Sequence, residues 1–365
     1  METPVTRRSL LLAAAGLRAE TASVNVFETP YKYGKLILQA SVDPASFDSR
    51  SVDCPFVFHH GHSFYMTYAG FDGVGYQTGL AASEDLTTWR RLGCILRRDP
   101  SSPVIRYNVA LNWILRENAL HSPGRAVKVN GRFLGVFHAY PGSGYEQGPA
   151  VIGLCTSHDL LRWEIGDIVL RPEDGAAWER GGLYKPCLVS HRGTYYLFYN
   201  AKNAEKHWRE QTGLATSTDL KHWKRYEGNP VIANGPPGSP DERFASDPCV
   251  LLYRDTWAAY YYGLDARGRA RDLLALGKSP ERFEKVPAIM VDAGPPGSVD
   301  EDYAHKPGIV FHDGSLYHFY CAVSGRWPRE VRGISVARSR PWKPSRSADQ
   351  TLGDLLVHQH FHKPA

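Results

Sequence analysis

The chain has 365 residues, 42% of them hydrophobic and 12% aromatic, with a formal net charge of +5. No apolar run approaches the length of a membrane-spanning helix, and the positive charge is too small and too evenly spread to form a nucleic-acid surface. What remains is a globular chain with an ample core and no nucleic-acid partner.

At the N-terminus, Thr6-Arg7-Arg8-Ser9 precedes a short apolar stretch from Leu10 to Leu17, and small residues through Thr21-Ala22-Ser23 follow. This pattern predicts an export signal of twin-arginine type over residues 1–22, and with it an exported protein, periplasmic or extracellular.

Residues 23–340 read as a single domain of five repeats. A proline, a short apolar strand, a turn and an aromatic strand recur at Pro55 (FVFHHGHSFYMTY), Pro123 (GRAVKVNGRFLGVFHAY), Pro186 (CLVSHRGTYYLFY), Pro248 (CVLLYRDTWAAYYY) and Pro307 (GIVFHDGSLYHFY). The prolines stand 68, 63, 62 and 59 residues apart. After four of these copies comes a strand that begins with glycine: GLAAS from Gly79, GLCTS from Gly153, GLATS from Gly213 and GISVA from Gly333. Three of those strands run into a Ser-x-Asp-Leu turn that ends at Trp89, Trp163 or Trp223. The aspartate suits a turn that bonds its own backbone, and the tryptophans read as packing between sheets.

Short strands rich in Tyr, Phe, Val and Leu, separated by Gly, Asn and Asp turns, predict an all-β five-bladed β-propeller of four-stranded antiparallel blades. Closure of such a ring calls for residues 24–45 to complete the fifth blade, leaving residues 341–365 as a C-terminal tail. In that tail His358, His360 and His362 alternate, but a terminal cluster of this kind reads as solvated, and no metal or other cofactor is expected. Cys54, Cys94, Cys155, Cys187, Cys249 and Cys321 form no CxxC pair and read as free buried thiols, with one long-range disulfide left open.

In a propeller the innermost strands line a central channel, and the proline-flanked element is the candidate for that strand. The residues ahead of the prolines are Asp53-Cys54, His121-Ser122, Tyr184-Lys185, Ser246-Asp247 and His305-Lys306. Carboxylates, histidines and lysines converging on one ring need a ligand or each other. A closed network of Asp53 and Asp247 with Lys185 and Lys306 is the structural alternative. Tyr76, Trp113, Tyr145, Tyr184, Trp208 and Tyr303 are candidate sugar-stacking rings.

An aspartate entering the first blade, a Ser-Asp-Pro entering a later one and the repeated aromatic strands make residues 45–340 similar to the five-bladed glycosidases of the arabinanase, fructosidase and anhydro-galactosidase group. The site pattern most resembles glycoside hydrolase family 117. The resemblance implies a glycosidase acting on an oligo- or polysaccharide with inversion, Asp53 as base and Asp247 as supporting carboxylate. It implies His305 as general acid, with Glu301 or Asp302 keeping it charged, and Glu179 as the second choice. Lys185, Lys306 and Arg125 depart from the family pattern and suggest an anionic sugar or phosphate; with His121 and Tyr184 they complete the candidate substrate-binding set. Glycoside phosphorolysis and non-catalytic carbohydrate binding are the alternative functions.

Overall fold

The structure is a computed structural model that describes residues 24–326 and 329–342. The export signal over residues 1–22 and the tail histidines lie outside the described residues. Apart from three short 3₁₀ segments, regular structure among the described residues is β, in five consecutive antiparallel units. The first unit is Ser51–His60, Ser63–Phe71, Tyr76–Ser83 and Arg90–Leu96. The second is Ala110–Ile114, Arg132–Ala139, Val151–Ser157 and Trp163–Leu170. Gly182–His191, Thr194–Lys202, Glu210–Ser217 and Lys224–Arg225 make the third. Phe244–Tyr253, Thr256–Leu264, Ala270–Ser279 and Arg282–Val291 make the fourth.

The fifth unit, Tyr303–His312, Ser315–Ser324 and Val331–Arg338, takes its outermost strand from the other end of the chain. Tyr31–Lys32 pairs antiparallel with it, Tyr31 opposite Arg338. The first and fifth units also meet at their inner strands, where a Cβ on Gly308 would stand 2.8 Å from the carbonyl oxygen of Pro55. The architecture is propeller-like, and the N-terminal segment completes the last unit as the sequence predicts.

In the first, third, fourth and fifth units the repeat proline sits on the inner strand at a break in the ladder: the register shifts between Asp53 and Phe56, Tyr184 and Cys187, Ser246 and Cys249, and His305 and Gly308. Proline cannot donate to a ladder and is tolerated at such bulges. The residue ahead of it adopts positive φ each time: Cys54 at 54°, Lys185 at 41°, Asp247 at 51° and Lys306 at 68°.

A second device recurs seven residues before the same prolines, where the chain carries Asp48, Glu179, Asp241 and Asp300. Each accepts a hydrogen bond from a second-strand tyrosine, Tyr68, Tyr199, Tyr261 and Tyr320 respectively. Each also pairs with a cation on the outermost strand: Arg91, Arg225, Lys285 and Lys32. Gly79 and Gly213 are glycine because the tyrosine lies across them: an added Cβ would come within 2.3 Å of the Tyr68 ring and 2.5 Å of Tyr199. The tryptophan turns form as predicted, with Asp85 accepting from the backbone N–H groups of Thr87 and Thr88 and Trp89 Nε1 donating to the Leu86 carbonyl. All six cysteines are unpaired.

The second unit departs from the sequence reading. Its inner strand is Ala110–Ile114, not the segment at Pro123, which lies in a loop. Between inner and second strands, residues 115–126 cross the far end of the channel and bond to four other units. Asn118 donates to the Leu188 carbonyl, Leu252 N–H to Asn118, Phe311 N–H to Ser122, and His59 N–H to Gly124. Buried Arg116 anchors this floor, donating to the carbonyls of Val57 and Ile309 with its guanidinium 5.1 Å from the rings of Phe56 and Trp113. Arg116→Ala leaves those carbonyls without donors and is expected to cost about 3 kcal/mol, lowering the thermal midpoint by several degrees. Arg125→Ala, at an exposed ion pair, is expected to change stability by less than about 0.5 kcal/mol in the same calorimetric comparison.

Candidate active site

A cavity of about 240 Å³ opens at the starting ends of the inner strands, away from the floor loop. All four pre-proline residues, Cys54, Lys185, Asp247 and Lys306, line it. Tyr184 and His305 join them from the inner strands, His138 and Asn200 from second strands, and Tyr76 and Glu210 from the first positions of third strands. Tyr145, Glu146, Trp208, Arg243 and Tyr303 complete the mouth. Of the candidate rings only Trp113 is elsewhere, buried against Phe56 in the core.

Asp53 is one residue off the position that faces the cavity. Its carboxylate, 1% exposed, accepts from Lys306 Nζ at 2.8 Å and Arg332 NH1 at 3.0 Å, from the Cys54 N–H at 2.7 Å and from the Tyr145 hydroxyl at 3.3 Å. Burial alone raises a carboxyl pKa, but Lys306 and Arg332 outweigh it and hold Asp53 well below the usual carboxylate range. Cys54 takes the facing position in that unit, and burial together with Asp53 pushes its thiol up to about 12, so it is not a thiolate nucleophile.

Glu210, which the repeat pattern did not flag, lies with Asp247 at the centre of the site. One amide nitrogen, Asn200 Nδ2, donates to both, at 2.8 Å to Asp247 Oδ1 and 2.8 Å to Glu210 Oε2. Trp208 Nε1 donates to Glu210 Oε1 at 3.0 Å. Burial and the charges of Asp247 and Glu146 push Glu210 up to about 7. Asp247 is also raised by burial, while Lys306 and Lys185 pull the other way and favour its ionised form. The environment thus separates a proton-bearing carboxyl from a charged one.

Both cavity histidines are neutral. Burial, Lys306 and Arg332 hold His305 well below its ordinary pKa, and its Nδ1–H faces the carbonyl of Cys321 at 3.2 Å. Burial and Lys185 lower His138 to about 3. An imidazolium acid at His305 therefore has no support, and the carboxylates expected to charge it are elsewhere. Glu301 caps the Gly297 N–H at 2.7 Å, and Asp302 does not line the cavity. Glu179 is the third unit's copy of the tyrosine–cation clamp, not a cavity residue. His121 and Arg125 sit on the floor loop at the opposite end, His121 against Tyr253 and Phe311, Arg125 paired with Glu117. Among the described residues no cluster of His, Cys, Asp and Glu is placed to hold a metal ion, and no helix is long and apolar enough to cross a membrane.

Residues 116–277 match the profile of the Glycosyl hydrolases family 32 N-terminal domain. Over 235 residues the chain is 29% identical to raffinose invertase of Escherichia coli, a match covering 62% of this chain and 46% of the relative. The chain thus spans less than half of that curated relative. Among solved structures it is similar to one described as a complex of BT0996 with RGII, with a TM-score of 0.77 and 27% identity over 90% of this chain and 97% of that one. A second, described as a glycoside hydrolase, has a TM-score of 0.76 and 26% identity over 94% and 98%. A family 117 glycoside hydrolase of Zobellia galactanivorans shares the fold at a TM-score of 0.60 and 15% identity, over 86% and 92%. The chain belongs to the superfamily of propeller glycoside hydrolases.

The Asp53 cluster generates a stability prediction. Asp53→Asn strands two buried cations and is expected to cost about 3 kcal/mol at neutral pH. Because the folded pKa of Asp53 is depressed, its stabilisation is present above the ordinary carboxylate range and disappears as pH falls through the folded value. Denaturant titrations of parent and variant should therefore converge in strong acid.

Proposed function

We propose that the five units are the blades of a closed five-bladed propeller, and that the chain is a glycoside hydrolase acting on an extracytoplasmic oligo- or polysaccharide. The twin-arginine pattern at Arg7-Arg8 supports the location. The observation that carries the activity is the pair Glu210 and Asp247, bridged by Asn200, with the first held protonated near neutrality and the second favoured as the anion. Glycosidic cleavage needs that combination of a proton donor at the leaving oxygen and a carboxylate at the anomeric carbon.

In this reading Glu210 protonates the leaving oxygen while Asp247 attacks the anomeric carbon, forming a glycosyl ester. The Glu210 carboxylate then takes a proton from a water that attacks the same carbon, and Asp247 leaves as carboxylate. Two oxygens each 2.8 Å from one nitrogen are closer together than the about 6.5 Å that an intervening water requires. That geometry supports retention of configuration in place of the inversion implied by the resemblance. Asp53 anchors Lys306 and Arg332, and Lys306 reaches toward both aspartates. Lys185 and Arg243 face the cavity with no carboxylate partner among the described residues, and serve to position substrate. The floor loop leaves the cavity one mouth, which supports action at a chain end.

The purified protein is to be assayed on a panel headed by RGII and raffinose, with and without phosphate. Release of reducing sugar is expected without phosphate, with kcat/KM falling above about pH 7 as Glu210 loses its proton. Glu210→Gln and Asp247→Asn should each lose about a hundredfold or more, and the Glu210 variant should recover on an aryl glycoside whose leaving group needs no proton. Phosphate-dependent release would replace hydrolysis by phosphorolysis. Sugar binding without any product would make the chain a binding propeller.

A further inference from the structure

A second depression, of about 310 Å³, adjoins the main cavity and shares one wall with it, the side chain of Trp208. Trp208 is 37% exposed, and its indole N–H donates to Glu210 at 3.0 Å, so the proposed acid stands at the partition between the two spaces. A general acid protonates the oxygen that joins the cleaved sugar to its leaving group, and must therefore lie between their two sites. With Asp247 in the main cavity, the cleaved sugar belongs there and the leaving group belongs beyond Trp208.

That second depression presents Arg180, Lys202 and Glu205 beside Trp208. The Lys202 ammonium is held over two rings, 5.0 Å from Tyr184 and 5.2 Å from Trp208. Neither cation forms an ion pair among the described residues, and Glu205 is the one acidic residue on the depression's wall. We propose that the depression beyond Trp208 is the leaving-group subsite and selects a sugar or sugar chain bearing an acidic substituent, carboxylate or sulfate, read by Lys202 and Arg180. This rests on the glycosidase reading of Glu210 and Asp247. The indole face supplies the stacking surface for the ring, and the two cations supply charge-assisted hydrogen bonds to its anionic group.

The test uses acidic oligosaccharides from plant and bacterial polysaccharides, each assayed as isolated and after its anionic groups have been removed, uronates by reduction to the neutral sugar and sulfates by solvolysis. The readout is the ratio of kcat/KM between the two forms. In the parent the acidic form is expected to be preferred about tenfold, the worth of one good charge-assisted contact. Lys202→Ala and Arg180→Ala should each bring the ratio toward one, while Lys185→Ala, in the main cavity, should retain it. A parent with no preference overturns the proposal, as does a preference that survives both substitutions or is lost only with Lys185. Cleavage of neither form of any substrate, with an aryl glycoside panel also inert, overturns the glycosidase reading itself.

Discussion

Four times in the chain a side chain with positive φ precedes a proline, at Cys54, Lys185, Asp247 and Lys306, and each time it faces the cavity. Left-handed backbone at a non-glycine residue costs on the order of 1 kcal/mol, and a following proline forbids the ordinary helical alternative. The strand cannot relax this by sliding, because the tyrosine clamps on one side and the apolar ladder on the other hold its register. The bulge therefore turns an inward-facing strand edge into a ring of four convergent side chains. It also explains why Asp53 and Asp247, alike in the sequence, take different positions. Asp247 occupies the left-handed site directly before its proline, whereas Asp53 stands one residue earlier, behind Lys306 and Arg332.

Charge in the site follows from that difference. Asp53 absorbs two cations where no substrate reaches it, and its field leaves His305 neutral only because Lys306 and Arg332 act more strongly on the ring. Asp247 keeps Lys306 and Lys185 close enough to favour its anion, and that anion in turn raises Glu210. One cation, Lys306, therefore links the two aspartates: paired to the first, it stabilises the second electrostatically. A buried ion cluster of this sort contributes little net stability but fixes where charges sit.

Fold class was legible because the repeat carries its own punctuation: proline at the bulge, glycine under the tyrosine, and the Ser-x-Asp-Leu-Trp turn. The same regularity misled in the second unit, where Pro123 has the spacing of a repeat proline but lies on an excursion that forms the channel floor. Lys185, Lys306, Tyr184, Asp247 and His305 were correctly drawn to one cavity, since inner-strand position is readable from the proline. Glu210 was not, because it enters from the first position of a third strand. The signal was present in the alignment of YQTGLAAS at Tyr76 with EQTGLATS at Glu210, two first positions that both reach the cavity. Glu179 could have been set aside the same way, as the acidic residue seven before a proline, shared with Asp48, Asp241 and Asp300.

The irregular second unit also gives the cavity its two-sided character. Without a pre-proline bulge it sends no charged inner-strand residue inward, and its contributions are neutral His138, Tyr140 and the loop tyrosine Tyr145. Tyr140 stacks on Tyr184 at 5.2 Å, and Tyr76 lies against both Tyr140 and Tyr145, forming an aromatic wall whose hydroxyls stay protonated because burial raises them. The third, fourth and fifth units carry the opposite wall, with Lys185, Glu210, Asp247 and Lys306. A pyranose or furanose ring has the matching asymmetry, with apolar C–H faces and a polar edge of hydroxyls, so one wall holds the ring while the other addresses its oxygens. The loop that breaks the repeat thus does two things at once: it closes the floor with Arg116, and it frees one side of the mouth from charge so that the reacting carboxylates stand on the other.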